Sequence, residues 1–250
     1  MPNYHLDASA HALIKNKVCL IKHFSWVAYL ARLHFDPELL PVDSLGGEAA
    51  ISSQYLTADA LRMRFSNPPA WTPEITVERL VRPLSRELTD AAVLVPIVMR
   101  DAGPTLLLTQ RTAHLHDHAG QISFPGGRVE RRDASPIETA LRETEEEVGL
   151  ARRHIDVIGA LPDYHTGTGF RVTPVVGIVQ PPFDVHADTF EVAEIFEVPM
   201  AFLMNGAHHQ RRTAQFETGS RTFYVMSYER YFIWGATAGM LRNLFHFLRA

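Results

Sequence analysis

One short stretch of the chain is dense in carboxylates, because Glu143, Glu145, Glu146 and Glu147 fill four of five consecutive positions. Like charges this close repel one another when they lie on one helix. A divalent cation would turn that repulsion into attraction, since hard cations such as Mg²⁺ prefer carboxylate oxygens. The stretch therefore predicts a metal site, and the alternative is an acidic helix face in contact with water.

The residues around these glutamates predict a helix over residues 136–148. Ser135, Pro136 and Glu138 form a capping box, with serine as the N-cap and proline at the first helical position. Gly149 is a natural stop just past the last turn. Both ends of the helix are therefore marked by local sequence.

The charged residues of this helix have different expected roles. Glu143 and Glu147 lie one helical turn apart and are the preferred metal ligands, with Glu146 as a third ligand or one that acts through water. Arg142 lies four residues before Glu146, so it should orient carboxylates rather than bind substrate. The apolar stripe expected on the opposite face comprises Ile137, Ala140, Leu141, Thr144 and Val148.

Together with the pair Gly126-Gly127, this helix resembles the Nudix box, G-x5-E-x7-R-E-U-x-E-E-x-G-U with U apolar. Counted from Gly127, the first Glu position falls on Asp133, and Arg142 lies one residue later than in the general pattern. Thr144 replaces the usual aliphatic residue. A box lengthened by one residue is typical of one subgroup, the coenzyme A diphosphatases.

Residues 107–127 are similar to the signature of that subgroup, L-L-T-x-R-[SA]-x3-R-x3-G-x3-F-P-G-G. All spacings match, with Thr112 in place of Ser or Ala and His116 in place of Arg, and residues 231–239 are similar to the end of these proteins. The resemblance implies the Nudix α/β/α sandwich with a mixed curved sheet. It also implies Mg²⁺ or Mn²⁺ as cofactor and hydrolysis of coenzyme A to 4′-phosphopantetheine and adenosine 3′,5′-bisphosphate.

The resemblance further indicates the residues that meet the substrate. Arg111 is expected to bind a phosphate, since a guanidinium binds phosphate bidentately, and His116 is expected beside it with a charge that depends on pH. Gly126 and Gly127 let the backbone approach the metal and the phosphates. Glu191 stands where these proteins often have an acidic residue before Val. It is a candidate general base or ligand, the alternative being a solvated loop side chain.

Three other interpretations stay open. His114, His116 and His118 alternate and could indicate zinc, although no cysteine is nearby and oxygen ligands explain the box better. The substrate could be another nucleoside diphosphate derivative, such as ADP-ribose or a dinucleotide. The chain could also be a Nudix-fold ligand sensor or RNA-associated protein without turnover, against which stand the intact box carboxylates.

The composition of the 250 residues excludes some classes of protein. A net charge of -4 and a pI near 6.3 give no basic footprint for nucleic acid. Cys19 is the only cysteine, which excludes an intrachain disulfide and fits a cytoplasmic, reducing compartment. No apolar run is long enough to span a membrane, although residues 12–33 could form an amphipathic helix, including one at a membrane surface. The expected partner is a small-molecule substrate without stable membrane association, and the oligomeric state is not predicted.

Turn residues along the chain predict an N-terminal helical extension and linker over residues 1–56, and the resemblance implies a Nudix domain over residues 57–250. Pro41, Gly46 and Gly47 indicate the linker, and Thr57 should cap a short helix. A closing helix is expected over residues 233–248. The expected strands are residues 91–98, 105–109, 157–161, 173–179, 195–198 and 222–228.

Overall fold

The computed structural model describes residues 36–74, 88–114, 119–216 and 219–250. The chain divides into two units, Met1–Leu40 and Pro41–Ala250. The described part of the first unit contains the 3-10 turn Pro37–Leu39. The helix expected over residues 12–33 lies outside the described residues.

The second unit contains both strands and helices. Its strands are β1 Ser44–Leu45, β2 Thr89–Val98, β3 Thr105–Arg111, β4 Ile122–Ser123, β5 Gly126–Arg128, β6 Ile155–Ala160, β7 Tyr164–His165, β8 Phe170–Val179, β9 Val192–Pro199, β10 Gln210–Phe216, β11 Gly219–Tyr228 and β12 Tyr231–Trp234. Its helices are α1 Ala58–Ser66, α2 Pro136–Val148, α3 Met200–Leu203 and α4 Gly235–Arg249, with 3-10 turns at Ser53–Leu56, Arg152–His154 and Gly206–His208.

The central sheet is mixed, as expected. Its strands follow the order β4-β3-β2-β8-β6, while β5 pairs with β2, β7 with β8 and β9 with β3. Strands β2 and β8 run parallel over their whole length, and the other pairs are antiparallel. A smaller antiparallel sheet has the order β1-β10-β11-β12. The strand expected over residues 91–98 thus forms part of β2, in the middle of the central sheet.

Alternating side chains of β2 pack on two different layers. Leu94 packs with Ala140 of α2, whereas Val95 joins a larger core that includes Leu244 of α4. Successive side chains of a strand point to opposite faces of a sheet, so α2 and α4 cover opposite faces of the central sheet. The predicted α/β/α sandwich is confirmed.

Residues 41–56, expected to form a linker, instead pack as part of the second unit. Strand β1 pairs with β10, and Leu56 is buried in the main core. The carboxylate of Glu48 forms an ion pair with the buried guanidinium of Arg242 on α4. The segment differs from a flexible linker because its backbone and its charge both have partners in the domain.

The other predicted elements are present with small changes at their ends. Each expected strand is found to within three residues at either end, and Thr57 caps α1 by accepting a hydrogen bond from the amide of Ala60. The closing helix begins at Gly235 and not at Ile233. The difference arises because Tyr231–Trp234 pairs with β11 as strand β12.

Candidate active site

Helix α2 spans Pro136–Val148, as predicted. The amide of Glu138 donates to the side-chain oxygen of Ser135 at 3.3 Å, and Gly149 ends the helix in the left-handed conformation with φ of 68°. Caps at both ends set the position of the helix along the sheet, and with it the position of the box glutamates.

Of the three box glutamates, Glu143 and Glu147 lie at the buried edge of α2, whereas Glu146 faces the solvent. The side chain of Glu147 is 8% exposed and that of Glu143 is 18% exposed, whereas Glu146 is 53% exposed. Ile137, expected in the buried stripe, is exposed in the first turn, because the helix meets the sheet on another face. The buried residues of α2 are Thr139, Ala140, Leu141, Thr144, Glu147 and Val148.

Glu147 is the most deeply buried carboxylate of the box. The amide of Gly126 donates to Glu147 Oε2 at 3.0 Å, and Arg111 Nη1 lies 3.8 Å from Glu147 Oε1. Burial raises the pKa of Glu147 to about 7, and the nearby charges of Glu143 and Glu191 act in the same direction. The amide of Gly126 and the charge of Arg111 only partly oppose this rise, so the negative charge of Glu147 lacks full compensation from the protein.

Glu143 lies directly against the backbone of Gly127. A Cβ atom at residue 127 would lie 2.5 Å from Glu143 Oε1 and 2.6 Å from Glu143 Oε2, so only glycine leaves room for this carboxylate. Arg142 Nη1 donates to Glu143 Oε1 at 2.8 Å. Burial nevertheless raises the pKa of Glu143.

Arg142 uses its guanidinium on groups of the protein itself. It donates to Asp133 through Nε at 3.0 Å and Nη2 at 2.9 Å, and to the carbonyl oxygen of Arg128 at 3.2 Å. Nη1 also donates to Glu146 Oε2 at 2.9 Å, the expected i,i+4 pair. Hydrogen bonds from Arg142 hold the pKa of Asp133 well below its usual range. The signal for Asp133 in the sequence is its place at the first Glu position of the box.

Arg111 ends strand β3 beside the loop that precedes β9. The amide of Thr112 donates to the carbonyl oxygen of Glu191 at 2.9 Å, which ties this loop to the end of β3. Arg111 Nη1 lies 3.8 Å from both Glu147 Oε1 and Glu191 Oε2. Both distances exceed that of a hydrogen bond, so the guanidinium is held between two carboxylates without being locked to either.

The expected histidine contacts fall largely outside the described residues. His116 and His118 lie there, so the predicted substrate contact of His116 and the zinc interpretation both stay predictions. His114 is exposed, and its ring packs against that of Phe190, with 5.1 Å between the ring centroids.

Among the side chains that the structure describes, no three histidine, cysteine, aspartate or glutamate residues are grouped so that they could hold a metal ion as they stand. Glu146 is engaged by Arg142, and Arg132 Nη2 donates to its other oxygen at 3.3 Å. The donors nevertheless suit a hard cation, because Glu143 and Glu147 are carboxylates whose charges are poorly compensated. The assignment of Glu143, Glu146 and Glu147 as ligands stays a prediction.

Comparison with known proteins places the chain in one family. A family model described as the NUDIX domain matches residues 88–213. The protein named uncharacterized Nudix hydrolase NudL from Citrobacter koseri is 43% identical over 189 residues, which are 76% of this chain and 93% of that protein. The protein of the same name from Escherichia coli K12 is 45% identical over 170 residues, which are 66% of this chain and 88% of that protein.

A crystal structure of a C. elegans Ap4A hydrolase binary complex matches with a TM-score of 0.39 at 20% identity, over 44% of this chain and 80% of that one. In the described ranges no helix combines the length and the apolar character needed to cross a membrane.

The matched family model spans the central sheet from β2 to β9 and the box helix α2. The chain belongs to the Nudix family.

Proposed function

We propose that the protein hydrolyses the diphosphate bond of coenzyme A or its derivatives, giving 4′-phosphopantetheine and adenosine 3′,5′-bisphosphate. The observation that carries this proposal is the match of residues 107–127 to the coenzyme A diphosphatase signature. In support, Arg111 from that signature lies 3.8 Å from the buried box residue Glu147. The proposed compartment is the cytoplasm, since a chain with the single cysteine Cys19 fits a reducing environment.

The proposed chemistry depends on cations. A diphosphate carries negative charge that repels an attacking water, and a bound Mg²⁺ or Mn²⁺ would neutralise that charge and lower the pKa of the water. Glu143 and Glu147 are the proposed ligands, with Glu146 as a third ligand or one that acts through water. The raised pKa values of Glu143 and Glu147 support this, because their charges are the ones that a cation would stabilise.

Three residues hold the proposed ligands in place. Arg142 donates to Glu143 and so positions it, and the absence of a side chain at Gly127 gives this carboxylate its space. The amide of Gly126 donates to Glu147 at 3.0 Å. We assign these residues positioning roles, because each contacts a proposed ligand.

Arg111 and Glu191 are proposed to act on the substrate directly. The guanidinium of Arg111 can turn toward a phosphate, since it forms long ion pairs and no hydrogen bond with Glu147 and Glu191. Glu191 is partly exposed beside it, so its carboxylate can reach a water from the solvent side and accept the proton as general base.

Steady-state kinetics on a panel of substrates tests the proposal. Coenzyme A carries a 3′-phosphate that ADP-ribose lacks, so a site built around that phosphate leaves cationic groups unpaired when it is missing. We expect kcat/KM for coenzyme A or its thioesters to exceed that for ADP-ribose by at least ~10-fold with Mg²⁺ or Mn²⁺. Equal or better turnover of ADP-ribose or of a dinucleotide would refute the substrate assignment. Absence of metal-dependent hydrolysis across the panel would favour a ligand-binding module.

A further inference from the structure

An exposed aromatic residue lies next to the candidate active site. Phe190 is 65% exposed, and its ring packs at a tilt, with 60° between the ring planes, against the exposed ring of His114. A single exposed apolar side chain is ordinary on a protein surface. Two features distinguish Phe190: hydrogen bonds hold its backbone in place, and the next residue, Glu191, forms an ion pair with Arg111.

The backbone of Phe190 is held by hydrogen bonds from both sides. Its amide donates to Asp188 Oδ1 at 2.9 Å, and its carbonyl oxygen accepts from the buried hydroxyl of Thr112 at 2.9 Å. The amide of Asp188 in turn donates to the carbonyl oxygen of Glu147 at 2.9 Å. The exposed ring is therefore carried by backbone that is tied to β3 and to the box helix, which positions it before any ligand binds.

The residue after Phe190 belongs to the proposed phosphate site. The Glu191 carboxylate lies 3.8 Å from the guanidinium of Arg111, which also lies 3.8 Å from Glu147. In a nucleoside diphosphate the base extends away from the diphosphate by the length of the ribose. A surface that binds the base should accordingly lie beside Arg111, the proposed phosphate-binding residue, and not at Arg111 itself.

We propose that the ring of Phe190, backed by His114, is the stacking surface for the nucleobase of the substrate. This inference rests on the proposed function, since it requires a nucleotide whose diphosphate is held near Arg111. A planar base stacks on an aromatic ring whichever base it is. Phe190 and His114 would thus hold the nucleoside end of the substrate, while the residues of the Nudix box carry out the hydrolysis.

Calorimetric titration of the full chain with ADP and with inorganic pyrophosphate, both in Mg²⁺, tests the stacking surface. Phe190→Ala should weaken ADP binding by about 5- to 150-fold, the range that corresponds to a base stacked on an aromatic ring. Pyrophosphate binding should stay unchanged, and Phe190→Tyr should retain ADP binding. Tyr55→Ala is the matched control, because Tyr55 is a similarly exposed aromatic residue outside the proposed site.

Three results would overturn the inference. They are ADP affinity unchanged in Phe190→Ala, an equal loss of ADP and pyrophosphate binding, and absence of ADP binding by the wild-type protein.

Hydrolysis of the substrate panel by the wild-type protein decides the proposed function separately. If hydrolysis occurs with an unchanged KM in Phe190→Ala, the function stands and the stacking surface is refuted. If ADP binding depends on Phe190 but the panel is not hydrolysed, the stacking surface stands and the enzymatic proposal is refuted.

Discussion

The carboxylate of Glu143 occupies the space that a side chain at Gly127 would fill, with 2.5 Å between a Cβ atom at residue 127 and Glu143 Oε1. Residue 127 belongs to β5 and residue 143 to α2, so this contact joins the glycine pair of the box to its helix. Glycine at residue 127 is therefore needed for the carboxylate of Glu143, a proposed ligand, to occupy its observed position.

Gly127→Ala should displace Glu143 and lower kcat by about 10²-fold, the loss expected when a reacting group is misplaced by about 1 Å. The fold should survive, because the carboxylate side chain can rotate away from the new methyl group. Hydrolysis kinetics and thermal unfolding of the same preparation would check both parts. Full activity in Gly127→Ala would show that the observed position of Glu143 is unimportant for catalysis.

Glu147→Gln should lower activity by at least ~10²-fold while the fold is kept. The substitution deletes the charge of a proposed ligand without changing its shape, and a glutamine oxygen can still accept the hydrogen bond from Gly126. Turnover is to be measured at saturating Mg²⁺. Near-wild-type turnover would mean that Glu147 is not a ligand of the catalytic metal.

Glu147→Gln should also change how the stability of the metal-free protein depends on pH. The pKa of Glu147 is raised from 4.5 to about 7 in the folded state, so between these values the folded state binds more protons than the unfolded state. The stabilising effect of this group is present below pH 4.5 and is lost as pH rises through about 7. Glu147→Gln should therefore raise Tm by a few degrees at pH 8 and by less at pH 5, at about 2–4 °C per kcal/mol. A Tm difference independent of pH would contradict the raised pKa.

Arg142→Ala should destabilise the protein more than the loss of a solvent-exposed ion pair does, because it removes the cation that pairs with the Asp133 carboxylate, whose side chain is 3% exposed. Arg152→Ala is the matched control. Arg152 also pairs with two glutamates of α2, but all three side chains are at least partly exposed, so its loss should cost less than about 1 kcal/mol. Urea unfolding of the two variants gives the comparison, and equal losses would contradict the structural role of Arg142.

The box helix could be predicted from sequence because its determinants are local. Ser135, Pro136 and Gly149 act within one turn of the helix ends, and the expected bounds agree with Pro136–Val148. Which face of the helix packs against the sheet depends on the tertiary fold and not on local sequence. Periodicity alone therefore put Ile137 into the buried stripe, whereas the sheet buries Glu147.

The remaining relationships depend on residues far apart in the chain. Nothing local indicates that Arg142 pairs bidentately with Asp133, nine residues earlier, or that Thr112 holds the carbonyl oxygen of Phe190. Tyr231–Trp234 is apolar enough for a helix or a strand, and only its pairing with β11 decides for the strand. Sequence alone indicates a linker over residues 41–56, because the turn residues of this segment are visible in sequence and its partners in β10 and α4 are not.

A buried ion pair connects that segment to the end of the chain. Arg242 of α4 is paired with Glu48 and also with Glu74, and its Nη1 donates to Nδ1 of the buried His209 at 3.0 Å. Hydrogen bonding from Arg242 lowers the pKa of Glu48 to about 2. The segment before α1 thus supplies a charge that the closing helix needs.

Two truncations separate the first unit of the chain from this segment. A protein that begins at Pro41 retains the whole second unit, and its kcat/KM should stay within about 2-fold of the full chain, since residues 1–40 carry no proposed site residue. A protein that begins at Thr57 loses Glu48 and the buried Leu56, so it should be destabilised by at least about 3 kcal/mol. Hydrolysis kinetics and urea unfolding of both proteins are the measurements.

Loss of all hydrolysis in a folded protein starting at Pro41 would show that the first unit contributes to catalysis. Full stability of the protein starting at Thr57 would show that residues 41–56 behave as the linker first expected.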